Sequence, residues 1–324
     1  MTFDEKKIKT LSLIGQRAVL GTCLFEIEND FKNLIVLSAD TSTSAGLDKF
    51  RKIKKNKYIE MGISEQNMIS VAAGLSSENF NVLTTTFSPF QTLRCLEQIK
   101  VNISYMNFKV TMVGLASGVV LGNLGYTHCS IEDIGVISSI PNINIISPDD
   151  GLETYKSIEA CLKSDKSTYI RLTGKAPSNK VYEKDYEFVI GKSNLVYEVG
   201  TDVAILTNGT MVFNSIEASK ILKKVNINCS VFNFHTIRPL DTQKIEKIFN
   251  NFKHVFTVEE HNINNGFGSM IANETLKFKK KINLNKIGLK HEYSNSGEYE
   301  DMIKWNSLDI NGLAKTIEYK INNG

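Results

Sequence analysis

The sequence predicts an α/β protein of two doubly wound, three-layer domains with mostly parallel sheets. Its 324 residues are enough for two separate cores. Short, nearly continuous apolar runs alternate with runs of helical period, the pattern of parallel strands covered on both faces. That alternation stops over 174–194, GKAPSNKVYEKDYEFVIGKSN, a polar stretch with Pro177 and no clear period, and then restarts. The expected organisation is a first domain over 1–175, a linker over 176–195 and a smaller second domain over 196–324.

The first domain opens on a capping box, Thr2 with Glu5, after which Ile8, Leu11, Ile14, Ala18 and Val19 recur at helical spacing, so a long amphipathic helix is expected. Strands are expected at 34–39 (LIVLSA), 58–61 (YIEM), 82–87 (VLTTTF), 109–115 (KVTMVGL), 143–147 (INIIS) and 168–172 (TYIRL). Helices should lie near 65–78, 89–103, 131–139 and 150–164. The second domain reads as strand DVAILTNG (202–209), a helix near 212–225, strand CSVFNF (229–234), a helix after Pro239, strand HVFTVEEH (254–261) and a helix after Gly268. No low-complexity tract or solenoid-period repeat interrupts it.

A formal charge of +3 and a pI near 8.4 are mild for this length and give no support to a nucleic-acid or membrane partner. The basic runs RKIKKNK (51–57) and KFKKK (277–281) are not interleaved with several aromatics and read as solvated faces. Five scattered cysteines without CxxC or Cys/His spacing imply neither a disulfide framework nor a zinc site, and a cytoplasmic setting is expected. The most apolar run, VTMVGLASGVVLG (110–122), is too short and Gly-broken to span a bilayer.

One stretch, YIEMGISEQNMISVAAGL (58–75), carries chemistry. Gly62 ends a strand, Ser64 is the expected N-cap, and Glu65, Met68, Ile69, Ala72 and Leu75 share one helical face. Glu65 therefore joins the buried stripe. Burial disfavours its charge and the helix N-terminus favours it, a balance suited to sharing a proton. Taken alone, an acid in a first turn also reads as a simple complement to the helix dipole.

With TTFSPFQTLRCLEQIK (85–100), GNLGYTHCSIEDIG (122–135), IPNINIISPDD (140–150), YIRLTGK (169–175), TIRPLD (236–241) and VEEHNINNGFGS (258–269), this stretch resembles the C-terminal half of transketolases. The resemblance runs from about Arg17 to Gly268 and fits the shorter subunit of a split, two-gene enzyme. It implies a thiamine-diphosphate pyrimidine-binding domain followed by a transketolase C-terminal domain. Glu65 would hydrogen-bond the aminopyrimidine of thiamine diphosphate and activate the cofactor, and Ile63 would prop its bent form. Phe87 and Phe90 would surround the pyrimidine, Phe90 being the better placed to stack, and Asp40 would lie near cofactor and subunit interface. His128 would face the substrate's reacting carbon, and a Ser130/Asp133 capping box after it would set it at a loop-to-helix junction. Arg17, Ser44 and Arg171 would hold a substrate phosphate. His235, His254, His261 and His291 read as structural, and Glu259, Glu260 and Gly266 to Gly268 as shaping the second domain's packing.

The resemblance also has gaps. Where the family shows GEDGxTHQ this chain has GNLGYTHC, so Asn123, Leu124 and Cys129 replace polar residues; Ala116 stands where a second histidine is usual, and Leu93 or Leu96 where a tyrosine is. Substrate-facing positions change while cofactor-facing ones do not, which implies an unusual sugar or aldehyde. The GDG…N motif that holds the diphosphate through Mg2+ or Ca2+ is absent, so an N-terminal-half partner subunit would supply it, in an α2β2 heterotetramer. The alternatives are the beta subunit of a thiamine-dependent 2-oxoacid dehydrogenase, a deoxyxylulose-phosphate-synthase-like enzyme, or a non-catalytic partner subunit.

Overall fold

The computed structural model describes residues 3–278 and 283–323. Each strand expected of the first domain forms within two residues of its expected limits: β1 (Leu34–Ser38), β2 (Tyr58–Glu60), β3 (Asn81–Phe87), β4 (Val110–Ser117), β5 (Ile143–Ile146) and β6 (Ser167–Thr173). They pair in parallel in the order β5-β6-β4-β3-β1-β2. β3, β4 and β6 carry almost wholly buried residues, as strands covered on both faces must.

One layer is α1 (Glu5–Ile27) with α7 (Gly151–Lys163), whose Leu11, Leu20, Leu24, Leu152 and Ile158 bury against Val36, Val113 and Ile170 of the sheet. The N-cap of α1 is Asp4, whose carboxylate accepts from the Lys7 amide at 2.7 Å, rather than Thr2, which lies outside the described residues. α1 is also not one continuous helix. Gly15 has φ 74° and ψ 162°, and a side chain there would run into Ala176.

Behind the opposite face lie α3 (Glu65–Ser77), α6 (Asp133–Ser138) and the stretch expected as one helix over 89–103. That stretch is broken into α4 (Ser88–Gln91), a 3-10 turn, α5 (Leu96–Gln98) and a π-helical segment, Ile99–Tyr105. A further short helix, α2 (Asp48–Ile53), follows β1 and begins the basic run 51–57, in which Lys54 and Lys57 pair with Glu28. Lys279 to Lys281 of the other run lie outside the described residues.

The second sheet contains β7 (Asn194–Tyr197), β8 (Val203–Thr207), β9 (Cys229–Asn233), β11 (His254–Asn262) and β12 (Leu284–Leu289) in the order β12-β11-β8-β9-β7, parallel except for β7. α8 (Met211–Lys223), α9 (Thr242–Asn251), α10 (Phe267–Thr275), α11 (Tyr299–Trp305) and α12 (Ile310–Asn323) complete it. Glu259 accepts from the amides of Phe267 and Gly268 and so caps α10, the packing role expected of that motif.

The TIRPLD motif belongs to the second domain in sequence but not in the sheet. Its residues Thr236–Arg238 form β10, antiparallel to β5 at the edge of the first sheet. One apolar cluster joins Ile134, Ile137 and Ile145 to Phe234, Ile237 and Phe267, so the interface between domains is itself a core.

Candidate active site

Parallel strands deliver their following loops to one edge, where α/β proteins place ligand sites. β2 leads to Ile63 and Glu65, β3 to Phe87 and Phe90, β4 to the loop bearing His128, and β1 to Asp40 and Ser44. Two of these strands end under strain. Asp40 (φ 54°) and Ala116 (φ 54°) are non-glycine residues in the left-handed region.

Glu65 is the first residue of α3 and only 4% exposed. Ser64 occupies the N-cap position, but its hydroxyl donates to the Met61 carbonyl at 2.6 Å instead of capping the helix. Glu65 is not the lone desolvated carboxyl that periodicity suggests. Arg94 donates to its Oε1 at 2.7 Å, and the same guanidinium lies 3.9 Å from the centre of the Phe90 ring. Gln66 adds a second grip by donating to the Arg94 carbonyl at 3.0 Å.

The aromatic residues close the corner. The His128 ring lies edge-on to Phe90 at 5.3 Å and to Phe87 at 6.3 Å, and the two phenylalanines are 6.3 Å apart. His128 Nδ1 is 3.0 Å from the Thr127 hydroxyl, and Nε2 has no hydrogen-bond partner among the described residues. The helix after it starts from Glu132, and no Ser130/Asp133 capping box forms: Ser130 bridges to Gly118, and Asp133 turns into the interior. Glu65, Arg94, Phe90, Phe87 and His128 thus form one connected group. Arg94 is the member that sequence reading missed; its position four residues after Phe90 in a helical stretch was the available signal.

Arg17 and Ser44 come together elsewhere, lining a pocket of about 220 Å3 with Gln16, Thr43, Gly174 and Ala176. Burial lowers the Arg17 guanidinium from its ordinary value, and a lone cation in a small pocket suits an anion. Arg171 does not join them. It is 1% exposed and turned into the interior, where Nε donates to Asp133 at 2.8 Å and Nη2 to the Glu260 carbonyl at 3.0 Å, away from the pocket that Arg17 and Ser44 line. Burial alone would raise Asp133, but the Arg171 charge and the hydrogen bonds from Arg171 and Tyr169 prevail and hold it below the usual carboxylate range. His261, with Nε2 accepting from the Ile134 amide, is pushed down to about 4 by burial. Asp40 is exposed, its amide held by Glu60, and Ile63 is 76% exposed.

Residues 14–177 match the family of transketolase pyrimidine-binding domains, and residues 191–312 match transketolase C-terminal domains. The chain belongs to the transketolase family. It is 31% identical to one of the subunits of an apulose-4-phosphate transketolase from Phocaeicola vulgatus, over 94% of this chain and 97% of that protein. It is 29% identical to a 6-deoxy-6-sulfo-D-fructose transketolase subunit from Clostridium sp. (strain MSTE9), over 85% and 84%. A solved split-gene transketolase, described as an inactive β4 tetramer, superposes with a TM-score of 0.84 at 26% identity, over 94% of this chain and 97% of that one. These matches span relatives of subunit length, so this transketolase chain corresponds to the C-terminal subunit of a split enzyme, and the 2-oxoacid dehydrogenase and non-catalytic alternatives are not favoured.

The residues around Glu65 are of a kind that fits the pyrimidine of thiamine diphosphate, the cofactor on which the transketolase family depends. Glu65 Oε2 has no hydrogen-bond partner among the described residues and so can meet a ring nitrogen, beside half-buried aromatic rings. Among the described residues no cluster of three or more His, Cys, Asp or Glu could hold a metal, and no helix is long and apolar enough to cross a membrane.

Proposed function

We propose that this chain is the pyrimidine-binding and C-terminal subunit of a two-subunit transketolase that moves a two-carbon ketol unit from a ketose to an aldehyde. The observation that carries the reading is the Glu65–Arg94–Phe90–His128 group, a buried carboxylate with one free oxygen at the edge of an aromatic corner. Glu65 would hold the pyrimidine of thiamine diphosphate, with Phe87, Phe90 and Ile63 around it and Asp40 at the rim. The cofactor would supply an acidic carbon and an electron sink for breaking the ketose carbon–carbon bond. His128 would face the reacting carbon of the substrate and move or hold a proton at its oxygen. The diphosphate and its Mg2+ or Ca2+ belong on an N-terminal-half partner subunit, in an α2β2 assembly. The inactivity noted for the β4 relative supports a chain that self-associates without turnover alone. Free, buried cysteines suit a cytoplasmic enzyme.

Arg17 and Ser44 would bind the far, anionic end of the sugar. The relatives named above act on a sugar phosphate and a sulfo-sugar, both ending in a small anion, and support a terminal phosphate or sulfonate here. Leu124 and Ala116, apolar where the family is polar, support a sugar with fewer hydroxyls to recognise.

The test is co-expression with the N-terminal-half subunit, followed by thiamine diphosphate binding and a screen of ketose donors with and without terminal anions. Glu65→Gln should abolish turnover while the assembly stays intact. Unchanged turnover would reduce Glu65 to a helix-terminal acid and sink the proposal.

A further inference from the structure

The loop that carries His128 is fastened from the second domain. Its neck is the antiparallel bridge in which Gly118 donates to the Ser130 carbonyl at 2.9 Å and Ser130 to the Gly118 carbonyl at 2.8 Å. Just inside the neck, the Val119 amide donates to Glu260 Oε1 at 2.8 Å. Oε2 of the same carboxylate accepts the hydroxyls of Thr210 and Tyr299, both at 3.0 Å. Glu260 is 2% exposed, and Gly118 is at φ +74° with no room for a side chain against that carboxylate.

Packing reinforces the tie. Val119, Cys129 and Ile131, from both sides of the neck, sit in an apolar cluster with Val258, Met302 and Leu289 of the second domain. Farther out, the Tyr126 hydroxyl is 2.8 Å from the Ser294 hydroxyl, and its ring lies 4.9 Å from that of Tyr293. Apolar contacts tolerate sliding, whereas a buried carboxylate with donors in fixed directions specifies one position.

We propose that Glu260 is a positioning residue for the transfer reaction: by fixing the neck at Val119 it sets where His128 stands against Phe87 and Phe90. The second domain thereby takes part in the geometry of the reaction. This rests on the reading of His128 as facing the substrate.

The experiment uses the assembly with the partner subunit and compares Glu260→Ala with Glu260→Gln, alone and combined with His128→Ala. The amide retains an acceptor for the Val119 amide and can donate to the hydroxyl oxygens, so it is the conservative rescue. Glu260→Ala should lower kcat by about tenfold or more and Glu260→Gln by less than about threefold, with thiamine diphosphate affinity moving less than about twofold in both. In the His128→Ala background Glu260→Ala should add less than about twofold, because it acts through the imidazole already removed. Equal losses in both backgrounds, or a parallel loss of cofactor affinity, would make Glu260 a fold residue only and overturn the proposal. His128→Ala with wild-type kinetics would overturn the reading of His128 and this proposal with it, and that result is visible without any Glu260 variant. Should Glu260→Ala not assemble, Tyr299→Phe removes one donor to Oε2, and the same cycle decides by the same non-additivity.

Discussion

Replacing Arg171 by alanine removes the guanidinium that neutralises Asp133 where the two domains meet. Asp133 is fully buried, and its Oδ2 takes both the Arg171 bond at 2.8 Å and the Tyr169 hydroxyl at 2.7 Å. Removing one partner of a buried pair strands the other charge, which costs about 3 to 5 kcal/mol. At roughly 2 to 4 °C per kcal/mol for a domain of this size, the first domain's thermal transition should fall by about 6 to 20 °C. The loss depends on pH. Asp133 is depressed in the folded protein, so the stability it lends through Arg171 is fully present above its ordinary value of 3.8 and disappears as pH falls through the lower folded value. Calorimetry of wild type and Arg171→Ala at neutral pH measures the shift, and ketose kinetics of the reconstituted assembly measure KM. A variant that melts within about 2 °C of wild type while KM for a phosphorylated ketose rises about tenfold would put Arg171 back on the substrate and refute the burial argument.

His261 should stay neutral down to about pH 4, observable as its imidazole resonances by NMR. Because its folded value lies below the ordinary 6.5, the linked stability is complete above pH 6.5 and falls by about 3 kcal/mol as pH drops toward 4; a pH-independent difference between wild type and His261→Gln would reject this. Gly21→Ala would drive a methyl into the Gly46 carbonyl on the segment that carries Ser44, so a loss of about 1 to 3 kcal/mol in urea unfolding and a raised KM for anionic-ended ketoses are expected. If neither moves, helix and loop part freely. For Arg94→Ala, which leaves the 4% exposed Glu65 carboxylate without its counter-charge, stability should fall by about 1 to 3 kcal/mol, and thiamine diphosphate affinity of the assembly should drop about tenfold as Glu65 loses its anchor. Reduced stability with unchanged affinity would mark the pair as purely structural.

The parallel strands were legible because burial on both faces demands unbroken runs such as VLTTTF and VTMVGLAS, a local signal. β10 was not, because three residues carry no period of their own and pair with a strand about ninety positions earlier. Glu65 was legible as buried because it shares the stripe of Met68, Ile69 and Ala72. Its ion pair was not, since contact with Arg94 depends on how α3 meets a segment whose helix is broken in several places. Arg171 shows the same limit in reverse. An arginine near the end of a buried strand looks identical in sequence whether its partner is a ligand or an aspartate 38 positions away.

The distribution of exposure around Glu65 bears on what kind of site this is. An autonomous domain buries its aliphatic side chains and leaves its carboxylates in water. Here the order is inverted over three residues: Glu65 is 4% exposed and Ile63 is 76% exposed. Leu93 and Tyr105, in the broken helical stretch that holds Arg94, are also exposed. Burying Glu65 without a ligand requires Arg94 to neutralise it and Gln66 to hold Arg94, so the chain commits two polar side chains to a carboxylate that has no other hydrogen-bond partner among the described residues. That arrangement is unexplained if Glu65 is a helix-terminal acid, because an exposed acid complements the dipole as well. It is explained if the free oxygen meets a ring nitrogen and if Ile63 is covered by that ring and a second polypeptide. The inverted burial therefore supports a half-built site, complete in its carboxylate and aromatic wall and open where a partner must close it.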